Sequence, residues 1–191
     1  MAQRIWVTGY RAYELNVFGN KDKKLPIIKY CLKQALTAQL DDGMEWLITG
    51  CDQGTDQWAA EVGLGLKKDY PELKIAMMAP YANFGNRWQE ASQARLAELR
   101  SAVDFTADVS HEGYQSGRQL AAYGTFMSEH TDGAVMLYDT DYPGKAKFSY
   151  ERVQNLSSSR KYNVSLITMY DLQEAATTLA EEAENGRFQD F

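Results

Sequence analysis

The sequence predicts an α/β protein built on a doubly wound, mainly parallel, Rossmann-like sheet with helices on both faces. Three observations carry this. Six short apolar runs recur along the chain, helical periodicity fills the stretches between them, and glycine and polar residues gather just after several of the runs. Strands separated by helices pair in parallel through right-handed crossovers, and such a sheet buries both faces. Ligands then sit beyond the carboxyl ends of the strands.

The first run, residues 5–8, ends in Gly9, Tyr10 and Arg11. The first helix is expected around Pro26, which suits an initial turn, with Ile28, Leu32, Ala35 and Leu36 forming one apolar stripe. A second strand over 46–49 leads through Gly50 and Gly54 into a helix with Ala59, Val62, Gly63 and Leu66 on its inner face. Strand three spans 75–79 and runs into Pro80 and Tyr81, and the helix after it is expected to carry Trp88, Leu96, Leu99 and Val103. Runs at 105–109, 134–138 and 164–168 complete the strands. The helices between and after them are expected at about 115–130, after Lys147, and around Leu172, Ala175, Ala176 and Leu179.

The chain has 191 residues, 45% of them hydrophobic, enough for one sizeable core and few for two. A single domain over 1–191 is expected. The formal charge of −6 repels polyanions, so nucleic acid is not an expected partner, whereas a small anion in a local positive pocket is compatible. Cys31 and Cys51 are too few for a disulfide framework and fit a reducing cytoplasm. No window nears 18 apolar residues and no export signal opens the chain, so a cytoplasmic protein without membrane contact is expected. His111 and His130 lack companions at ligand spacing, and no metal site is expected.

The segment 49–56, Thr-Gly-Cys-Asp-Gln-Gly-Thr-Asp, has the most pointed pattern. Strand end, tight turn and helix start follow one another there, as in a corner where backbone N–H groups meet an anion. Gly50, Gln53, Gly54 and Thr55 are candidate contacts, and Asp56 reads as a helix N-cap residue that also reaches a ribose hydroxyl. Thr8, Gly9, Tyr10 and Arg11 face this corner from the first strand, Arg11 as a forked phosphate donor. Tyr10 and Tyr81 are candidates for stacking on a base, with Pro80 beside them. Asp52 and Asp56 read as caps or solvated groups rather than a magnesium site.

These motifs resemble the DprA/LOG-like Rossmannoid superfamily, called SLOG. The whole chain is similar to its YpsA-like family, including Pro80, Trp88, Glu90 and the run Asp132-Gly133 before a strand ending in Tyr138-Asp139. The resemblance implies a nucleotide-derived ligand, a nucleoside phosphate or an ADP-ribose-like molecule, and a sensor or regulatory module acting through protein partners. It also implies a link to cell division and stress, and admits a homodimer; no cofactor is required. Two rival chemistries come with it. LOG-type phosphoribohydrolases cleave an N-glycosidic bond with a glutamate ending a Pro-Gly-Gly-x-Gly-Thr-x-x-Glu motif, of which residues 143–151 keep Pro143, Gly144 and Glu151 and lack the other glycines and the threonine. Glu151 is thereby a candidate catalytic carboxylate, or simply a partner of the helix dipole. DprA-like binding of single-stranded DNA is the third class. The basic pair common in the superfamily about nine residues before the aspartate is replaced by Tyr123 and Gly124, leaving Arg118, one turn upstream, as the candidate substitute.

Overall fold

A computed structural model describes residues 3–189. Six parallel strands form one sheet in the order β4-β3-β2-β1-β5-β6. The elements are β1 (Gln3–Gly9), α1 (Lys24–Asp41), β2 (Met44–Thr49), α2 (Thr55–Leu66), β3 (Lys74–Tyr81), α3 (Glu90–Ala102), β4 (Phe105–Ser110), α4 (Gly117–Glu129), β5 (Gly133–Leu137), α5 (Lys147–Ser159), β6 (Asn163–Ile167) and α6 (Met169–Gln189). This is the doubly wound Rossmann-like arrangement that the alternation of strands and helices predicts.

The burial pattern explains why the sequence takes this form. β3 and β5 are buried along nearly their whole length, and their apolar runs match strands covered on both faces. Leu47, Ile75, Val135 and Met136 are fully enclosed, as are Leu32 and Leu36 on the inward stripe of α1. The chain winds outward from β1 to β4 through α1, α2 and α3, then returns to β5 beside β1 and continues to β6 through α5. Helix α2 packs on α1 and α3, α6 packs on α1, and α4 packs on α5. The switch in direction falls between β1 and β5, where the connections leave to opposite sides and open a crevice above the strand ends.

One element differs from expectation. Trp88 lies before α3, which starts at Glu90. The chain turns there through left-handed Asn83 (φ 61°) and Gly85 (φ 81°), and Trp88 N–H donates to Gly85 O (2.9 Å). The indole covers Gly85 and meets Phe84 edge-on at 5.3 Å, so its period with Leu96 and Leu99 reflects a shared core rather than a shared helix.

Among the described residues no helix is long and apolar enough to cross a membrane. Cys31 and Cys51 are buried free thiols.

Candidate functional site

A cavity of about 560 Å³ opens over the carboxyl end of β1, between the start of α2 and the facing sides of α4 and α5. Its volume is that of a small-molecule site, which spans roughly 300–1,000 Å³. One wall is the corner at 49–56. Thr8 Oγ1–H donates to Asp56 Oδ1 (2.9 Å), and Asp52 N–H donates to Asp56 Oδ2 (3.3 Å). Arg11 Nε–H donates to Asp52 Oδ2 at 2.5 Å. Burial, and then the charge of Asp52, push the Asp56 carboxyl up to about 7 against the opposing pull of Thr8, the Asp52 N–H and Arg11. Tyr123 from α4 borders the same space. Burial, followed by the nearby Asp56 charge, raises its phenol well above the ordinary value. Beneath them Trp6 also lines the cavity, and its buried indole N–H has no acceptor among the described residues.

The glycines of this corner act against the chain itself. A Cβ on Gly50 would strike the Asp56 carboxylate and the Tyr123 hydroxyl, so Gly50 makes room for that pair. Gly54 has φ 129°, and a Cβ there would overlap Arg11, Ala12 N and the Tyr10 carbonyl. It lets the segments 10–12 and 53–55 lock together. Ala12 N–H donates to Gln53 O (2.9 Å), and Thr55 gives both its N–H and its hydroxyl to Tyr10 O (3.1 and 2.9 Å). The N-cap position of α2 belongs to Gly54 rather than Asp56, because the Asp56 carboxylate turns back toward Thr8 and Asp52 instead of over its own helix.

The opposite wall is cationic. Arg152, on α5, reaches across to α4, where Nη1 donates to Thr125 Oγ1 (3.0 Å) and Nη2 to the Ala121 carbonyl (3.5 Å). Gly124 makes this reach possible, since a Cβ there would meet the guanidinium. Lys145 lines the cavity nearby, with its Nζ 5.6 Å from the centre of the Tyr13 ring. Neither cation is ion-paired among the described residues, whereas Arg11 is already neutralised by Asp52. Glu14 staples the two loops beneath, accepting from Arg11 N–H (2.7 Å) and Lys145 N–H (2.8 Å).

Of the residues singled out in the sequence, Thr8, Gly9, Tyr10, Arg11, Gln53, Thr55, Asp56 and Pro80 line this cavity together. Tyr10 is only 3% exposed, and its hydroxyl donates to Tyr142 O (2.7 Å) while accepting from Asp139 N–H (2.8 Å). It ties down the loop after β5 and presents no free ring face for stacking. Gly9 abuts the Leu137 carbonyl, and Gly144 admits the Glu14 carboxylate. Tyr81 packs on Phe84 and Tyr114 (5.3 and 5.2 Å) outside the lining. Arg118 is exposed in the first turn of α4 and does not line the cavity. Glu151 is 55% exposed, pairs with Lys147 at 3.5 Å and does not line the cavity, whereas the next residue, Arg152, does. Arg152, Lys145 and Trp6 are among the lining residues that the sequence motifs did not mark, and Tyr123, named only as a departure from the superfamily's basic pair, lines the cavity as well. The one available signal was Gly124 at mid-helix, where a glycine costs stability unless something packs on it.

The chain is similar over almost its whole length to curated bacterial proteins. It is 53% identical over 189 residues to a UPF0398 protein of Lacticaseibacillus casei, covering 99% of this chain and 98% of that one. With UPF0398 proteins of Lactiplantibacillus plantarum and Leuconostoc citreum it shares 52% over 183 residues and 47% over 187, covering 96–97% of this chain and 97–99% of theirs. The family model YpsA, described as YspA SLOG family, matches residues 5–172. That span runs from the buried part of β1 into α6 and contains every residue lining the cavity, so the chain belongs to the YspA SLOG family.

Proposed function

We propose that the protein binds a nucleotide-derived small molecule, a nucleoside phosphate or an ADP-ribose-like compound, and acts as a sensor or regulatory module. The observation that carries this reading is the polarity of the cavity. Arg152 and Lys145, two cations without carboxylate partners among the described residues, face a wall of hydrogen-bonding groups around Asp56, Thr8 and Tyr123. A phosphate fits the first wall through charge-assisted bonds, and ribose hydroxyls fit the second. Phe148, 75% exposed at the rim, offers a surface for a base. Regulatory action is favoured over turnover because Glu151 is exposed, paired with Lys147 and outside the cavity lining.

Mass spectrometry of molecules that co-purify, followed by thermal-shift titration with nucleoside monophosphates and ADP-ribose, tests this. A ligand at 100 times its dissociation constant adds about 2.7 kcal/mol of stability. Absence of a shift with every nucleotide overturns the proposal. The phosphoribohydrolase reading is supported by one observation, a cavity carboxyl, Asp56, that titrates near neutrality and so suits acid–base work. Release of ribose 5-phosphate from a nucleoside monophosphate, lost in Asp56→Asn, is its test.

A further inference from the structure

A second cavity of about 620 Å³ lies on the other side of the 52–54 turn, between the starts of α2 and α3 and the segment 12–20. We infer that it is a separate binding site for an uncharged planar heteroaromatic molecule of the nucleobase or nucleoside class. This site is independent of whatever occupies the first cavity.

Two aromatic rings of its wall, Trp58 and Trp88, are already fixed. Trp58, from the first turn of α2, is 7% exposed; Trp88 is held by Phe84 and Gly85; Tyr13 and Phe18 stand at the rim. Rings whose positions are set before binding lose little freedom when a planar ligand packs on them. The charges around this space are cancelled among themselves. Glu61 takes Lys29 Nζ at 2.5 Å and Arg95 Nη2 at 2.6 Å, Glu98 takes Arg95 Nη1 at 2.7 Å, and Asp52 takes Arg11. A charged ligand would meet no free counter-charge there, in contrast to Arg152 and Lys145 in the first cavity. Hydrogen bonding comes from Gln57, which is buried and donates Nε2–H to Cys51 O (3.0 Å), leaving its Oε1 as an acceptor on the wall. A base with an exocyclic amine satisfies that acceptor while its ring lies on indole.

The two cavities share Asp52 and Gln53. Gln53 spans the partition, with its carbonyl held by Ala12 N–H and its side-chain Oε1 accepting from Ser92 on α3 (3.4 Å).

Adenosine titrated by calorimetry into protein saturated with AMP tests the inference. One further equivalent of adenosine is expected to bind. Because stacking on one ring is worth roughly five- to a hundred-fold in affinity, Phe18→Ala and Trp88→Ala are each expected to weaken adenosine at least fivefold, while Arg152→Gln leaves it unchanged. Phe18 is 74% exposed, so its truncation keeps the fold. Competition between adenosine and AMP for one site, or unchanged adenosine affinity in Phe18→Ala, overturns the second site. Failure of AMP alone to bind, with adenosine still lost in the two aromatic variants, overturns the reading of the first cavity and leaves this one standing.

Discussion

Replacing Asp56 with Asn isolates a strong electrostatic tension at the corner. Free in an unfolded chain, this carboxyl ionises at about 3.8; in the fold it does so at about 7, chiefly because it is buried and secondarily because Asp52 is near. Between those two values the folded state holds a proton that the unfolded state has released, so stability falls as pH rises through this window and stays lowered above it. The full loss is about 4 kcal/mol, of which about 3 kcal/mol falls between pH 5 and pH 8. Asn carries no charge and abolishes the slope. It keeps the acceptor for Thr8 but turns an amide toward the Asp52 N–H, a cost of about 1–3 kcal/mol that does not depend on pH. The expected signature is therefore a change in difference. The variant's melting midpoint, measured against the parent by calorimetry, rises by roughly 6–12 °C on going from pH 5 to pH 8, at about 2–4 °C per kcal/mol for a chain of this size. A difference that stays constant across this range, or that falls, refutes the placement of an ionisable Asp56 in a buried, like-charged corner.

Three further outcomes follow from the geometry. Arg152→Gln is expected to weaken AMP roughly 10- to 100-fold, the worth of one hydrogen bond to a charged group, with little change in melting because its present partners are a hydroxyl and a carbonyl; unchanged affinity by calorimetry counts against an anion on that wall. Gly54→Ala places a Cβ against three backbone atoms at a left-handed φ, and a loss of about 2 kcal/mol or more is expected in urea unfolding, with wild-type stability refuting the lock between the first two loops. Glu151→Gln removes only a surface i,i+4 pair worth about 0–1 kcal/mol, so nucleotide affinity and melting should both hold; loss of a measured glycosidic cleavage in this variant would restore Glu151 as a catalytic group.

The framework of this protein is legible because its strands are parallel and buried on both faces. Such strands must be apolar runs, and the helices between them must carry an inward stripe, so 75–79 and 134–138 could be read as β3 and β5 from residue type alone. The loops are legible only in part, for a reason common to Gly50, Gly54 and Gly144. A glycine at a strand end announces that something approaches the backbone closely, and sequence does not say what. Here the approaching groups are the Asp56 carboxylate, the 10–12 segment and Glu14, all from the chain itself. The corner thus positions two carboxylates and a phenol rather than offering bare N–H groups to an anion. The counterpart to that wall depends on a pair 28 residues apart, Gly124 and Arg152, which meet only because α4 and α5 cross the same face of the sheet. No local pattern encodes such a meeting, yet it decides the polarity of the cavity. An anionic group is drawn to the α4–α5 side, and hydroxyl donors to the corner after β2. For the proposed nucleotide, the direction in which it would lie across β1 therefore follows from the packing of two helices and not from the glycine-rich turn that first points to the site.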